Sequence, residues 1–201
     1  MDRREALKKL AVGGVTAAGV TAVMTSTAFG DGGTANCRPT NVSTANPTLT
    51  TNVTGLAKSA VRVISSLASL AVATCNVCHA GTTPVSSIQY RWTIDSAPVG
   101  TNVGMYDAAT LGNRIDTAFQ TTLITNAYLR NVGGGDLTSG SYSIRLTARW
   151  ICTNNTRKAW VCRHWILPLT FITGGGANGT VTPGVQVNGS GSSTACDSPA
   201  P

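Results

Sequence analysis

The stretch SYSIRLTARWIC, Ser141–Cys152, decides the fold class of this chain. Apolar and polar side chains alternate along it, and a period of two is typical of a strand with one buried face. The predicted buried face carries Tyr142, Ile144, Leu146, Ala148, Trp150 and Cys152. The predicted outward face carries Ser143, Arg145, Thr147 and Arg149. The pattern therefore predicts a half-buried β-strand.

A second apolar run, Ala159–Thr173, follows after a short polar loop. Two apolar runs around such a loop indicate an antiparallel hairpin. If Cys152 and Cys162 lie opposite each other, they share a face, and Trp150 then lies opposite His164. That register predicts a Cys152–Cys162 disulfide, which would stabilise the fold by roughly 2–3 kcal/mol.

Other segments extend the β pattern on the N-terminal side of this hairpin. Ser87–Asp95 alternates in the same way and predicts a strand. Phe119–Val132 predicts one or two more strands. Val61–Val72 is ambiguous, because its apolar residues approximate helical spacing while its valines and serines suit a strand.

The composition of residues 31–201 also favours strands. These residues include nine Arg, two Lys and six Asp, but no Glu. Glu and Lys usually fill exposed helix faces, so their scarcity argues against helices. Thr, Ser, Asn, Gly and Val dominate instead, and they favour strands and turns. The composition predicts an all-β chain that is long enough for one domain with its own core.

Two segments resemble extracellular immunoglobulin-like modules of the PKD kind. Gln89–Asp95, QYRWTID, carries Trp92, and Leu137–Thr147, LTSGSYSIRLT, contains Gly140-Ser141-Tyr142. In that family a Trp-bearing strand packs across from a strand that opens Gly-x-Tyr. The resemblance covers about residues 60–173, and it departs in lacking the acidic, glycine-rich turn after the Trp strand. It implies an immunoglobulin-like antiparallel β-sandwich that binds, spaces or assembles and seldom catalyses.

Residues 1–30 resemble a twin-arginine signal peptide. Met1–Lys9, MDRREALKK, is basic and contains a pair of arginines, and the uncharged stretch Leu10–Met24 follows. That stretch is shorter than the roughly 20 apolar residues of a membrane span. Ala28-Phe29-Gly30 supplies the small residues that a signal peptidase accepts.

The signal resemblance implies that the working protein begins at Asp31 and is exported. We therefore expect it in the periplasm, at the cell surface or in the extracellular space, where disulfides form. No stable membrane span is expected.

The two ends of the exported chain are polar and rich in turn-forming residues. Residues 31–52 predict an extended N-terminal arm, and residues 174–201, rich in Gly and Ser, predict a flexible tail. The immunoglobulin-like β-sandwich is then expected at residues 53–173. Cys37 and Cys196 lie in the two ends, and a bond between them would tie the ends together. The sequence leaves that pairing open.

The sharpest chemical motif is the C-x-x-C-H string formed by Cys75, Cys78 and His79. In c-type haem attachment both thiols form thioethers and the histidine ligates iron. His164 or Met105 would then be the second axial ligand. The alternative is that Cys75 and Cys78 are disulfide partners in a loop, with no cofactor. The predicted β-sandwich favours this alternative, because small c-type cytochromes are helical.

The sequence offers little for catalysis or for nucleic-acid binding. Residues 31–201 contain no Glu, two His and separated Asp residues. No carboxylate pair, triad or metal cluster is apparent there, so we do not expect an enzyme. Removing the signal takes away four basic and two acidic residues, which lowers the net charge from +7 to +5. The arginines are scattered through strands without a basic run, so no nucleic-acid partner is expected.

The sequence therefore predicts an exported binding or structural protein, such as a filament or adhesion subunit. Its expected partner is a cell-surface or extracellular protein or polymer, or another copy of the chain. The alternative is a monohaem c-type cytochrome that carries electrons outside the cytoplasm.

Overall fold

The structure, a computed structural model, describes residues 39–53, 56–75, 85–154, 157–174 and 176–191. The strands are β1 Pro39–Thr40, β2 Leu49–Val53, β3 Ala60–Ser65, β4 Thr74–Cys75, β5 Val85–Ser96, β6 Val103–Asp107, β7 Asn126–Asn131, β8 Gly140–Asn154, β9 Arg157–Ile172, β10 Thr180–Pro183 and β11 Val187–Gly191. A short 3-10 turn, Ala57–Ser59, precedes β3. No α-helix occurs in the described ranges, so the all-β prediction is confirmed. None of the helical segments described there could cross a bilayer.

The strands form two main antiparallel sheets. Sheet I has the order β2-β3-β7-β6, and sheet II has the order β10-β9-β8-β5. Strands β10 and β11 pair with successive parts of β9, β10 with Leu169–Ile172 and β11 with Cys162–Ile166. Strands β1 and β4 form a separate two-stranded ladder.

One hydrophobic core lies between the inner faces of the two sheets. Sheet I contributes alternate residues such as Val61, Val63, Leu129 and Met105, each 0% exposed. Sheet II contributes the predicted face of β8 together with Trp92 and the apolar face of β9. The inward members of this set from β8 and β9 are Tyr142, Ile144, Leu146, Ala148, Trp150, Trp165, Leu167, Leu169 and Phe171. Alternation along each strand therefore produces the sandwich-like arrangement.

Three buried tryptophans attach segments outside the strands to this core. Each indole N–H donates to an oxygen, as a buried Trp requires. The bonds run from Trp92 to Ile124 O (2.8 Å), from Trp150 to Ala71 O (2.8 Å) and from Trp165 to Asn46 Oδ1 (3.0 Å). The same rings that fill the core thus fix three connecting segments.

The β8–β9 hairpin is observed, but its register differs from the predicted one. Asn154 pairs with Arg157 and Cys152 pairs with Ala159, while Cys162 pairs with Arg149. Because this differs from the predicted register by an odd number of residues, Cys152 and Cys162 point to opposite faces of the sheet. The predicted Cys152–Cys162 disulfide is therefore wrong.

Cys152 is instead bonded to Cys75 in β4, with a Cα–Cα distance of 5.7 Å. Cys162 is disulfide-bonded as well. The ambiguous segment Val61–Val72 divides into a strand, β3, and an irregular connection that contains the buried residue Leu70. The Leu70 N–H donates to the Tyr90 hydroxyl at 2.9 Å. The connection between β3 and β5 is therefore fixed by both covalent and polar contacts.

The sheets extend beyond the predicted core of residues 53–173. Strand β2 belongs to sheet I, and its Leu49 is buried. At the other end, Gln186 accepts from Leu49 N (2.7 Å) and donates to Pro47 O (2.9 Å). This amide fixes the segment between β10 and β11 to β2. Residues 1–38, with the predicted signal peptide, lie outside the described part of the chain.

The segment before β2, which was predicted to be an extended arm, is held by an arginine on the inner side of β9. Arg163 donates to Ser43 O (2.6 Å), Ala45 O (3.2 Å) and Asn46 Oδ1 (2.8 Å). Burial lowers the pKa of Arg163. Its guanidinium group satisfies backbone carbonyls that the irregular segment could not pair by itself.

Candidate functional site

The structure gives a definite role to one residue of the C-x-x-C-H motif. Cys75 forms the disulfide with Cys152, with an S–S distance of 2.08 Å. One sulfur atom cannot hold both this bond and a thioether to haem, so the disulfide and haem attachment at Cys75 exclude each other. The Cys75–Cys152 bond likewise excludes a Cys75–Cys78 disulfide. Cys78 and His79 lie outside the described residues.

The two candidate axial ligands occupy different layers of the molecule. Met105 is 0% exposed and packs in the core between the sheets. His164 lies in β9 on the outer face of sheet II, because its neighbours Arg163 and Trp165 face inward. Sheet II therefore separates these two side chains. In the described ranges, no three His, Cys, Asp or Glu side chains converge as a metal site would require.

His164 packs against the backbone of β11. Its register partner is Gly189, where an added Cβ would come within 2.7 Å of His164 Cε1. Burial is the main factor that lowers the pKa of His164, and nearby Arg145 lowers it further, while Asp95 opposes the change. The neutral imidazole is therefore favoured at neutral pH.

The outer face of sheet II carries arginines whose charges are already engaged. Arg149 is 6% exposed, donates to Gln89 Oε1 from two nitrogens, and lies 3.7 Å from the centroid of the Phe119 ring. Arg145 pairs with Asp95 at 2.7 Å. Beside them, Ile151, Trp160 and Cys162 form a second buried cluster. Most of this face is therefore packed.

The outer face of sheet I is different, and its register brings chemically distinctive side chains into one row. Asn52 pairs with Arg62, Arg62 with Tyr128, and Tyr128 with Tyr106. A single antiparallel bridge then joins Tyr106 to Arg114. Paired residues share a face, so these five side chains cross the sheet in line, about 5 Å apart.

Arg130 completes this surface. It lies two residues after Tyr128 on β7. Its position is diagonal to that of Arg62 on β3, with Cα atoms roughly 7–8 Å apart. We call the surface formed by Arg62, Arg130, Tyr106 and Tyr128 the arginine–tyrosine face. Both arginines and Tyr128 are half-buried, and Tyr106 is 8% exposed. Their side chains are thus held by neighbours while part of each remains open to solvent.

Both arginines of this face are oriented by neutral groups. Arg62 Nε donates to Asn126 Oδ1 at 2.6 Å. Arg130 donates to Leu111 O at 2.9 Å, and its guanidinium carbon lies 5.5 Å from the centre of the Tyr106 ring. Among the described residues, neither arginine has a carboxylate within ion-pair distance. Their positive charges are therefore fixed in place but not neutralised.

Arg114, at the border of the face, shows the opposite arrangement. It makes two hydrogen bonds of 2.9 Å to the carboxylate of Asp116, and this hydrogen bonding raises the pKa of Arg114. Gly104 lets Arg114 lie across β6, because an added Cβ there would be 3.1 Å from Arg114 Nε. The border arginine is thus neutralised locally, unlike Arg62 and Arg130.

The arrangement is suited to binding an anion. A guanidinium group provides five N–H donors, and only one of these is used at Arg62. The two terminal nitrogens of Arg62 can therefore receive a carboxylate or sulfate in a bidentate manner. Tyr128 supplies accessible ring surface, and both tyrosines supply hydroxyl groups.

The arginine–tyrosine face was not predicted from the sequence. The string Asn126–Asn131, NAYLRN, alternates Tyr128 and Arg130 with buried Ala127 and Leu129, which could have indicated an outward arginine and tyrosine. Their alignment with Arg62 and Tyr106 depends on pairing between strands that are distant in sequence. Comparisons with known protein families, with curated proteins and with solved structures find no match.

Proposed function

We propose that this protein is an exported, non-catalytic binding module whose contact surface is the arginine–tyrosine face. The observation that carries the proposal is that Arg62 and Arg130 are held in place by neutral acceptors, without a described carboxylate partner. Charges fixed in this way favour association with an anionic partner and require little rearrangement on binding. A cell-surface or extracellular polymer or protein could supply the opposite charge.

The strand order supports an immunoglobulin-like fold for this module. Constant-type immunoglobulin domains have sheets ABED and CFG. Sheet I corresponds to ABED if β2, β3, β6 and β7 are strands A, B, D and E. Sheet II corresponds to CFG if β5, β8 and β9 are strands C, F and G, with β10 and β11 added beside G.

Two side chains support the same assignment. Trp92, on the strand equivalent to C, is 1% exposed. Tyr142 stands near the start of the strand equivalent to F, and its hydroxyl donates to Thr138 O at 2.6 Å, as in a tyrosine corner. Burial raises the pKa of Tyr142. The disulfide departs from the immunoglobulin pattern, because it links the B–C connection to strand F rather than B to F.

The Cys75–Cys152 bond also supports export. A disulfide that joins residues 77 positions apart is typical of an oxidising compartment outside the cytoplasm. It agrees with the twin-arginine signal proposed for residues 1–30. N-terminal sequencing of the exported protein should begin at Asp31, and changing Arg3 and Arg4 to Lys should block export; an exported protein that retained Met1 would contradict the signal assignment.

Binding can be tested with cell envelopes and extracellular matrix from the producing organism. Purified residues 31–201 should be retained, and the double variant Arg62→Gln/Arg130→Gln should lose most of the retention. Arg145→Gln is the matched control, because it removes an arginine from the outer face of sheet II. Equal retention of all three proteins would refute the proposed contact surface.

The same preparation distinguishes the haem alternative. A binding module with the Cys75–Cys152 bond is colourless and has the mass of its oxidised polypeptide. A Soret band and one covalent haem, in protein made together with the haem-attachment machinery, would contradict the proposal.

A further inference from the structure

We propose that the ligand of the arginine–tyrosine face is an acidic polysaccharide, a glycan that carries carboxylate or sulfate groups along its chain. This inference rests on the proposed function and names the partner of the same site. It is carried by three features of the face: its two separate uncompensated charges, its tyrosines and its polar border.

The charge pattern is sparse and fixed. Arg62 and Arg130 hold diagonal positions on neighbouring strands, with Cα atoms roughly 7–8 Å apart. Arg62 Nε donates to Asn126, which lies on the side away from Arg130, so the two charged groups point apart. Arg114 adds little net charge, because Asp116 neutralises it. Two separate positive charges suit a polymer with acidic groups on individual sugar units, since Arg62 can receive one acidic group bidentately and Arg130 can contact another.

A nucleic acid fits this pattern less well. Proteins that bind nucleic acids commonly neutralise about six to ten phosphates with a continuous basic stripe. The arginine–tyrosine face offers two uncompensated arginines, and the bordering positions Thr50, Asn52 and Asn126 are uncharged. Its charge density is therefore lower than a phosphate backbone requires.

The two tyrosines supply the chemistry that a sugar ring needs. Tyr106 and Tyr128 are register partners across β6 and β7. Tyr106 is only 8% exposed, so the half-buried Tyr128 supplies most of the accessible aromatic surface. A pyranose ring has an apolar face of C–H groups that packs on aromatic surface and a rim of hydroxyls that form hydrogen bonds. Within the described chain neither tyrosine hydroxyl has a hydrogen-bond partner, so both can bond to a ligand.

Polar residues of β2, at the border of the face, can add hydrogen bonds to a sugar. Asn52 is exposed and stands directly opposite Arg62, and Thr50 is exposed on the same strand. Their amide and hydroxyl groups can bond to sugar hydroxyls beside the acidic group that Arg62 receives. The row from Asn52 to Tyr106 spans about 14 Å at roughly 4.8 Å per strand, which allows several sugar units to lie along it.

The test is a panel of defined polymers, measured by affinity electrophoresis and calorimetry on residues 31–201. Polygalacturonate carries carboxylates on sugars and chondroitin sulfate carries both kinds of acidic group. Neutral dextran lacks the charge, poly-L-glutamate lacks the sugar, and single-stranded poly-dT carries phosphates. We expect binding to polygalacturonate, to chondroitin sulfate or to both, at least tenfold tighter than to the other three polymers, and weaker as salt is added.

Variants connect the binding to the face. Arg62→Gln should weaken binding of the preferred acidic glycan by about tenfold or more, because it removes a bidentate charged contact. Tyr128→Ala should also weaken it, whereas a contact made by charge alone would not depend on that ring. Arg145→Gln, with its fold checked by circular dichroism in parallel with the others, should bind as the unmodified protein does.

The outcomes separate this inference from the proposed function. Equal binding of poly-L-glutamate and the acidic glycans would overturn the polysaccharide assignment, and so would tighter binding of poly-dT. Failure of both acidic glycans, while envelope retention still depends on Arg62 and Arg130, would overturn the ligand class and leave the binding surface standing. Failure of envelope retention as well would overturn both.

Discussion

The outer faces of the two sheets both carry arginines at outward positions of their strands, but the surroundings of these charges differ. On sheet II, Arg145 has a carboxylate partner, and Arg149 is buried beneath Phe119 with hydrogen bonds to Gln89. On sheet I, Arg62 and Arg130 are oriented by an amide and a carbonyl oxygen. The first set of arginines contributes to the packed structure, whereas the second set retains an unneutralised charge for a partner.

This difference shows why spacing along one strand does not identify a binding residue. The exposure of Arg149, 6%, depends on the loop that carries Phe119 rather than on the alternation within β8. The charge of Arg130 is not neutralised, because among the described residues no carboxylate lies within ion-pair distance of it. A charged residue on an outward position can therefore be either structural or functional, and its neighbours in space decide which.

Loss of the Cys75–Cys152 disulfide should have the largest effect on the stability of the protein. Replacing Cys75 and Cys152 with Ser should lower the free energy of unfolding by about 4 kcal/mol, since the bond closes a loop between residues 77 apart. Guanidinium denaturation of the single and double variants measures this loss. Non-reducing peptide mapping is the companion measurement, and a Cys152–Cys162 peptide would contradict the observed register.

The buried arginine should matter more for stability than the open one. Arg149→Ala removes the donors to Gln89 and the stacking on Phe119, and it should destabilise the protein by about 3 kcal/mol. Arg62→Ala should change stability by less than about 1 kcal/mol. Urea unfolding of the two variants compares them directly. Equal losses would mean that Arg149 contributes no more to the packed structure than Arg62 does.

Substitution of one glycine on each sheet should give a smaller difference in stability. Gly189→Ala should cost about 2 kcal/mol, because its Cβ would overlap the ring of His164. Gly104→Ala should cost less, because its nearest contacts are the Arg114 guanidinium group and the edge of Tyr106, at 3.1 and 3.2 Å. Thermal unfolding can rank the two variants. A larger loss at Gly104 would indicate that Arg114 is more rigidly held than His164.

The smallest expected effect is a pH dependence on the packed face. The folded-state pKa of His164 lies below its unfolded value of about 6.5, so the unfolded chain binds the proton more tightly. The associated stability is present above about pH 6.5 and is lost as pH falls through the lowered folded pKa. Unfolding free energies between pH 7.5 and 5 should therefore decline less in His164→Gln. Parallel pH profiles would exclude His164 as the source.

The amino-acid sequence by itself determined the strand content and the hairpin. Alternation in Ser141–Cys152 correctly predicted which residues of β8 enter the core, because a strand has one fixed period wherever it is placed. The lack of Glu in residues 31–201 correctly argued against helices in the described ranges. The polar composition near residues 31–52 and 174–201 obscured β2, β10 and β11, whose pairing depends on neighbours in the sheet.

Only the tertiary structure decided the disulfide partner of Cys152 and the composition of the candidate site. Strand register is set by contacts among whole faces. The observed register puts Cys162 on the face opposite to Cys152, and Cys152 is bonded to Cys75 instead. The arginine–tyrosine face combines residues from β3, β6 and β7 in the same way. A local pattern can specify the face on which a side chain lies, but its neighbours across the sheet depend on long-range pairing.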